Sequence, residues 1–241
     1  MEPEVTNKTH TLAIPIAIVI AGAIIGGALI IGLRSSSSTG MAANPPQPQA
    51  TAQAVDITKV KIAGQPFIGN QNAPITMAYW YDYQCPFCKQ NEENAMPQII
   101  KDYVDTGKVK VVFKDFQFLG PDSQTAGLAG RAVWEVAPDK FYVWHKAMYD
   151  KQDNENSGWG NKTDVIALTK AILGPDGGAK VEQLMTANAT KYQKEMDADK
   201  AEGAAFGING TPGFIIGKHR IDGAQPYAAI KQVIDLTLQG K

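Results

Sequence analysis

Cys85 and Cys88 are the only two cysteines in this chain of 241 residues, and two residues separate them. A pair at this spacing can form a local redox disulfide, supply half of a zinc site, or be two unrelated thiols. The zinc alternative needs two more ligands, and the three histidines, at positions 10, 145 and 219, show no paired spacing. We therefore expect a redox-active Cys85–Cys88 disulfide, with no metal site and no other cofactor.

The cysteine pair follows a segment whose composition indicates a buried strand. Residues 75–81 (ITMAYWY) are almost continuously apolar, which is typical of a strand covered on both faces. Pro86 suits the first turn of a helix, so Cys85 should stand at the helix N-terminus and Cys88 one turn later. Unpaired N–H groups and the helix dipole lower the pKa of a thiol at that position. Cys85 is therefore predicted to be the exposed, reactive sulfur and Cys88 its inward-facing partner.

A helix and a second strand should follow the pair. Apolar residues recur at helical spacing from Met96 to Val104, and residues 109–113 (VKVVF) indicate a strand. Strand, helix and strand form a βαβ unit. Residues 214–221 then predict a β-hairpin, and residues 226–238 predict a final amphipathic helix.

The segment between these parts is predicted to be a helical insertion. Residues 121–206 carry apolar residues at helical spacing and no convincing strand. His145 and its aromatic neighbours fit the core face of an amphipathic helix there, which is a simpler interpretation than a catalytic histidine. The sequence thus predicts an α/β domain interrupted by an all-helical insertion at about residues 121–206.

A second motif lies directly before the hairpin, at residues 207–214 (GINGTPGF), where Thr-Pro-Gly alone predicts a turn. Together with PFIGNQNAPITMAYWYDYQCPFC and MPQIIKDYVDTGKVKVVFKDF, this motif resembles the DsbA family of disulfide oxidoreductases over about residues 55–240. The resemblance implies a thioredoxin-like fold with a helical insertion and a low thiol pKa. It also implies the following site: Cys85 as nucleophile, Cys88 as its partner, Pro86 and Phe87 as the active-site dipeptide, and Thr211 and Pro212 as a substrate-binding loop with a cis bond.

One position departs from the family pattern. Relatives often carry a glutamate six residues before the first cysteine, where this chain has Tyr79. A buried phenol stays neutral at physiological pH, so we predict that proton transfer from Cys88 depends on another group. Asp82, Lys114 and Asp115 are charged candidates for tuning the site, although solvated positions at strand ends are the simpler interpretation.

The N-terminal part of the chain differs from the rest in composition. After a short tail, residues 1–11, comes an uncharged segment, residues 12–33, which as a helix would be about 33 Å long and match a bilayer. A cleaved signal peptide is the alternative, but its apolar region is usually about 7–15 residues long and follows a basic start. Residues 34–54 are rich in serine and proline and predict a linker, which leaves 55–241 for the folded domain.

Net charge argues against nucleic acid as a partner, because 23 basic and 24 acidic residues nearly cancel. The sequence predicts a thiol:disulfide oxidoreductase anchored in a membrane through residues 12–33, with an extracytoplasmic catalytic domain. Its expected partners are thiols of exported or unfolded proteins and a membrane redox protein that regenerates the disulfide. Two alternatives stay open. One is a reductase or isomerase, because direction depends on the compartment and the partner. The other is a thioredoxin-fold binding module, which would need neither sulfur.

Overall fold

The computed structural model describes residues 53–240, which are built around a six-stranded mixed sheet. The strands are β1 (Gln53–Ala54), β2 (Phe67–Ile68), β3 (Ile75–Tyr81), β4 (Val109–Asp115), β5 (Gly213–Ile216) and β6 (His219–Asp222). Their order is β1-β6-β5-β3-β4-β2, with β3 and β4 parallel and the other neighbours antiparallel. β3 therefore lies inside the sheet, and its C-terminal end is held from both sides.

Six α-helices surround the sheet in the described part of the chain. They are α1 (Pro86–Ile99), α2 (Pro121–Val136), α3 (Phe141–Lys151), α4 (Lys162–Ala187), α5 (Ala189–Ala205) and α6 (Tyr227–Leu238). α1 continues as a π-helical turn over Ile100–Val104, and α4 is kinked at Gly174, whose φ of 79° favours glycine. Helices α2 to α5 occupy the predicted helical insertion, and the predicted βαβ unit and hairpin are present.

Two short strands at the edges of the sheet were not predicted, because two residues cannot display a period. One of them, β1, consists of Gln53 and Ala54, which pair with β6, so the described fold begins before Val55. The predicted anchor at residues 12–33 lies outside the described residues. Between residues 53 and 240, no helix is both long enough and apolar enough to cross a bilayer.

The side chains of β3 are buried on both faces of the sheet, as its apolar composition predicts. Tyr79 and Tyr81 enter a large apolar cluster that also contains residues of α1, α3 and α6. Trp80 enters a smaller cluster on the opposite face. There its Nε1–H donates to the carbonyl oxygen of Asp199 at 2.9 Å, so α5 covers this second face.

Lys114 and Asp115, at the end of β4, are buried, and the expectation that they are solvated is wrong. Nζ of Lys114 lies 2.5 Å from Oδ1 of Asp199, and Nε of Arg131 lies 2.6 Å from Oδ2 of Asp115. Arg131 also pairs with Asp199. The physical reason is α5, which returns to the sheet 68 residues beyond Arg131 and places one carboxylate between two cations.

Asp199→Asn should lower the free energy of unfolding by about 3 kcal/mol or more, because Lys114 and Arg131 stay buried with less compensating charge. Asp197→Asn changes an exposed carboxylate of the same helix and should have an effect below about 0.5 kcal/mol. Urea unfolding followed by circular dichroism measures both variants. Equal unfolding free energies would show that these buried ion pairs do not stabilise the fold.

Candidate active site

Cys85 immediately precedes α1, and Pro86 is the first residue of the helix. The backbone carbonyl of Cys85 accepts hydrogen bonds from the N–H groups of Cys88 at 3.1 Å and Lys89 at 3.2 Å. Cys88 is one helical turn further on and fully buried. Both cysteines are free thiols, so the structure is that of the dithiol form. Cys85 is thus held where β3 ends and α1 begins, and Cys88 faces the core.

The loop before β5 covers Cys85. Gly213 pairs with Trp80 near the end of β3, so the residues just before Gly213 reach the turn between β3 and α1. The Thr211–Pro212 peptide bond is cis, as the family resemblance implies. The thiol of Cys85 donates to the carbonyl oxygen of Thr211 at 3.3 Å. Because the loop lies over the sulfur, Cys85 is 4% exposed, and the prediction of a freely exposed thiol is wrong.

The two thiols have opposite pKa shifts. The pKa of Cys85 is lowered to about 6, chiefly because the Cys88 thiol donates a hydrogen bond to the thiolate. The backbone N–H groups of Phe87 and Cys88 also favour the thiolate, whereas burial opposes it. Burial raises the pKa of Cys88 well above its usual range, and the hydrogen bond to Cys85 adds to this effect. Cys85 is therefore the ionised sulfur at neutral pH, and its largest stabilising contact is the neighbouring thiol rather than the helix N-terminus.

Asp82 joins the turn after β3 to the loop after β4. Its carboxylate accepts hydrogen bonds from the backbone N–H groups of Gln84, Phe118 and Leu119 at 2.8, 2.8 and 3.1 Å and from the hydroxyl of Ser123 at 2.7 Å. Burial raises the pKa of Asp82, whereas these donors lower it. The expectation that Asp82 is solvated is therefore wrong. Its carboxylate is buried, and its hydrogen bonds hold the turn after β3 against the loop after β4.

Gln152, which directly follows α3, contacts the cysteine motif and was missed by sequence reasoning. Its side-chain amide donates to the carbonyl oxygens of Tyr83 at 2.7 Å and Cys85 at 3.1 Å. Nζ of Lys89 in turn donates to the backbone carbonyl of Gln152 at 2.9 Å. The helical insertion thereby holds both ends of the motif. No local signal marks Gln152, because its partner Cys85 is 67 residues away.

Tyr79 is fully buried beneath the cysteine pair, and its ring stacks on Phe214 with centroids 4.8 Å apart. Burial raises the pKa of Tyr79, and the neighbouring Cys88 and Glu92 raise it further. Its hydroxyl has no hydrogen-bond partner within residues 53–240. Tyr79 is therefore neutral at physiological pH and is unsuited to accept the proton of Cys88.

The predicted tuning residues do not all reach the cysteines. Lys114 pairs with Trp80 in the β3–β4 register and points to the face opposite Tyr79, towards Asp199. Phe87, between the cysteines, is 59% exposed, and Phe118 is 44% exposed on the loop that Asp82 holds. In the described part of the chain, no group of three or more His, Cys, Asp or Glu side chains is arranged to hold a metal ion.

Comparisons with known proteins agree on one relationship. Residues 61–236 match the family model described as thioredoxin. Disulfide bond formation protein D of Bacillus subtilis (strain 168) is 30% identical over 185 residues, which are 75% of this chain and 80% of that protein. The probable disulfide bond formation protein D of Bacillus cereus is 24% identical over 176 residues, 73% of this chain and 79% of that protein.

Solved structures extend the likeness to the fold. The crystal structure of oxidised BdbD from Bacillus subtilis aligns with a TM-score of 0.67 and 28% identity, covering 79% of this chain and 99% of that one. The thiol-disulfide exchange protein α-DsbA2 from Wolbachia pipientis aligns with a TM-score of 0.63 and 24% identity, covering 72% of this chain and 87% of that one. These alignments confirm the predicted α/β fold with a helical insertion.

The thiolate absorbance of the reduced protein should rise with a midpoint near pH 6, because Cys85 ionises there. Cys88→Ala should move the midpoint to higher pH, because it removes the largest donor to the thiolate. Cys85→Ala should remove the transition altogether and serves as the control. An unchanged midpoint in Cys88→Ala would contradict the assignment of Cys88 as the donor.

Proposed function

Because the chain belongs to the thioredoxin family and is a DsbA-like thiol:disulfide oxidoreductase, we propose that it forms or exchanges disulfides in exported proteins through Cys85 and Cys88. The observation that carries this proposal is the pair of opposite pKa shifts, which places the negative charge on Cys85. A stabilised thiolate favours the dithiol over the disulfide, so the disulfide becomes a better oxidant. Oxidation of substrate thiols is then the favoured direction.

The proposed reaction proceeds through a mixed disulfide on Cys85. A substrate thiolate attacks Sγ of Cys85, the Cys85–Cys88 bond breaks, and Cys88 leaves as a thiolate that takes up a proton. The second substrate thiolate then attacks the substrate sulfur of the mixed disulfide, so that a substrate disulfide forms and Cys85 leaves as a thiolate. The low pKa of Cys85 makes it a good leaving group in this second step. A redox partner in the membrane must then reoxidise the dithiol.

Exposed apolar side chains in the active-site helix and in the loop held by Asp82 suit an unfolded substrate. Phe87 and Phe118 offer apolar surface, and the backbone next to Thr211 lies over the reactive sulfur. An extended polypeptide can pair with such a loop through backbone hydrogen bonds. These bonds depend little on which side chains the polypeptide carries. The proposed substrates are therefore thiols of unfolded proteins rather than of one folded partner.

The proposed location is the outer face of a membrane. Residues 12–33 have the length and composition of a membrane anchor, and residues 34–52 would serve as a tether. Relatives named as disulfide bond formation proteins support an extracytoplasmic domain, because disulfides persist in oxidising compartments. A reductase or isomerase remains the alternative if the partner supplies electrons instead of removing them.

A binding module without redox activity is the second class of function considered. Such a module would gain nothing from a thiol whose pKa is lowered or from a second thiol that donates to it. Gln152 also holds the backbone of the turn that carries Cys85, so the reactive sulfur has a fixed position. These contacts favour the enzyme.

Cys88→Ser should accumulate mixed disulfides between Cys85 and exported proteins in cells, because its Cys85 thiolate can still attack disulfides of those proteins while Cys88, which would resolve the adduct, is missing. Cys85→Ser should accumulate none. Non-reducing electrophoresis with mass spectrometry of the adducts measures this. The adducts should sediment with membranes, and exchange of residues 1–33 for a cleavable secretion signal should release them. Adducts with cytoplasmic proteins would contradict the location, and no adducts in Cys88→Ser would contradict the mechanism.

A further inference from the structure

Glu92 and His145 form a buried pair beneath the cysteines. Their exposed fractions are 1% and 0%, and Nε2 of His145 lies 3.5 Å from Oε1 of Glu92. Neither of these two atoms has a hydrogen-bond partner among residues 53–240. The other carboxylate oxygen, Oε2, accepts a hydrogen bond from the hydroxyl of Tyr142 at 2.9 Å. Two polar atoms that can share one proton thus face each other inside the core.

A chain of hydrogen bonds fixes which nitrogen of His145 carries a proton. The hydroxyl of Tyr81 donates to Oδ1 of Asp115 at 3.2 Å, and the hydroxyl of Tyr83 donates to that of Tyr81 at 3.4 Å. Asp115 is paired with Arg131 and is therefore an acceptor only. Tyr83 has one hydroxyl proton, which it donates to Tyr81. Nδ1 of His145, 3.1 Å away, must therefore donate a hydrogen bond to the hydroxyl oxygen of Tyr83. Nε2 of a neutral ring is then left as an acceptor that faces Glu92.

The pair lies close to the thiol of Cys88. Glu92 follows Cys88 by four residues on α1, and side chains at this spacing share one helix face with Cβ atoms about 5–6 Å apart. Both residues are buried, and Cys88 and Glu92 each raise the pKa of Tyr79 and of Tyr149, which indicates that they lie near the same two tyrosines. Cys88 and the pair therefore lie in the same buried part of the core.

Other titratable groups around the pair stay neutral at ordinary pH. The tyrosines that face it come from β3, the turn after β3, and α3; they are Tyr79, Tyr81, Tyr83, Tyr142 and Tyr149. Burial is the main reason why the pKa of each of these tyrosines is raised. β4 contributes the ring of Phe113 and, through Tyr81, the Asp115–Arg131 ion pair. None of these tyrosines therefore offers Cys88 a charged acceptor for its proton.

We propose that Glu92 and His145 together accept the proton of Cys88 when this thiol attacks a mixed disulfide, and return it when the disulfide opens. In the first direction the Cys88 S–H bond breaks and its proton settles between Oε1 and Nε2. The Cys88–Cys85 bond then forms, and the bond from Cys85 to the substrate breaks, so that the substrate leaves as a thiolate. In the second direction the same proton neutralises the departing Cys88 thiolate. The inference rests on the proposed function. It identifies an acceptor for the Cys88 proton, a role for which the neutral Tyr79 is unsuited.

Quench-flow separates the two steps. Reduced protein is mixed with excess oxidised glutathione, quenched with acid, and analysed by mass for the glutathione adduct. Formation of the adduct reports attack by Cys85, and its decay reports resolution by Cys88. In Glu92→Gln the amide keeps the size of the side chain but cannot accept the proton. Adduct formation should keep the parent rate, while decay should slow about 100-fold at pH 7 and keep rising with pH instead of reaching a plateau.

Three further variants make the outcome decisive. Glu93→Gln changes the exposed neighbour on α1 and should resolve the adduct at the parent rate. Tyr142→Phe removes the hydrogen bond that Oε2 of Glu92 accepts and leaves the charged carboxylate less stable, so the pH profile of resolution should move to higher pH. This shift tests the proposal even if Glu92→Gln fails to fold. Cys88→Ser should stop at the adduct, and decay of its adduct at the parent rate would contradict the proposed function itself.

Parent rates and an unchanged pH profile in both Glu92→Gln and Tyr142→Phe would overturn the inference while leaving the proposed function intact. Equal slowing of formation and decay in Glu92→Gln would also overturn it, because that result indicates a structural role for Glu92.

Discussion

The opposite pKa shifts of the two neighbouring thiols are the constraint on which the rest of the site depends. Cys88 favours the thiolate of Cys85, so one thiol loses its proton easily while the other keeps it. Burial of Cys88 makes the difference larger, because an ion is disfavoured away from water. The backbone N–H groups of Phe87 and Cys88 at the start of α1 act in the same direction. Two chemically identical side chains thereby acquire different roles.

The helical insertion is part of the redox site as well as a cover for the sheet. Gln152 holds the turn that carries Cys85, and His145 brings a nitrogen to Glu92 beneath Cys88. Arg131 closes the far end of the tyrosine chain at Asp115. The insertion thus contacts both the turn that carries Cys85 and the Glu92 side chain. A shift of its helices would therefore move the turn that carries Cys85 and the proposed proton acceptor together.

Sequence reasoning succeeds here where a residue's role follows from its neighbours in the chain. The continuous apolar run of β3 and the place of Cys85 before Pro86 are local signals, and both describe the structure correctly. The position of Glu92 also carries a local signal, because a residue four positions after Cys88 lies on the same face of the helix. Within the polar run NEEN, however, Glu92 looks like a solvated residue.

Long-range packing explains what could not be predicted. Lys114 resembles an ordinary strand-end lysine until α5 returns and places Asp199 against it. Asp82 likewise looks solvated until the loop after β4 and the first turn of α2 supply three of its four donors. In both cases the partner lies dozens of residues away in the chain, and no periodic pattern in the sequence indicates that the two residues are in contact.

The equilibrium between the protein and glutathione tests most directly whether the charge on Cys85 makes the disulfide oxidising. Protein is equilibrated in buffers with different ratios of reduced to oxidised glutathione, the thiols are trapped with an alkylating agent, and the dithiol fraction is measured by mass. A stabilised Cys85 thiolate predicts a midpoint less negative than about −200 mV, above the usual cytosolic glutathione poise. A midpoint near the thioredoxin value of about −270 mV would contradict this and indicate a reductant.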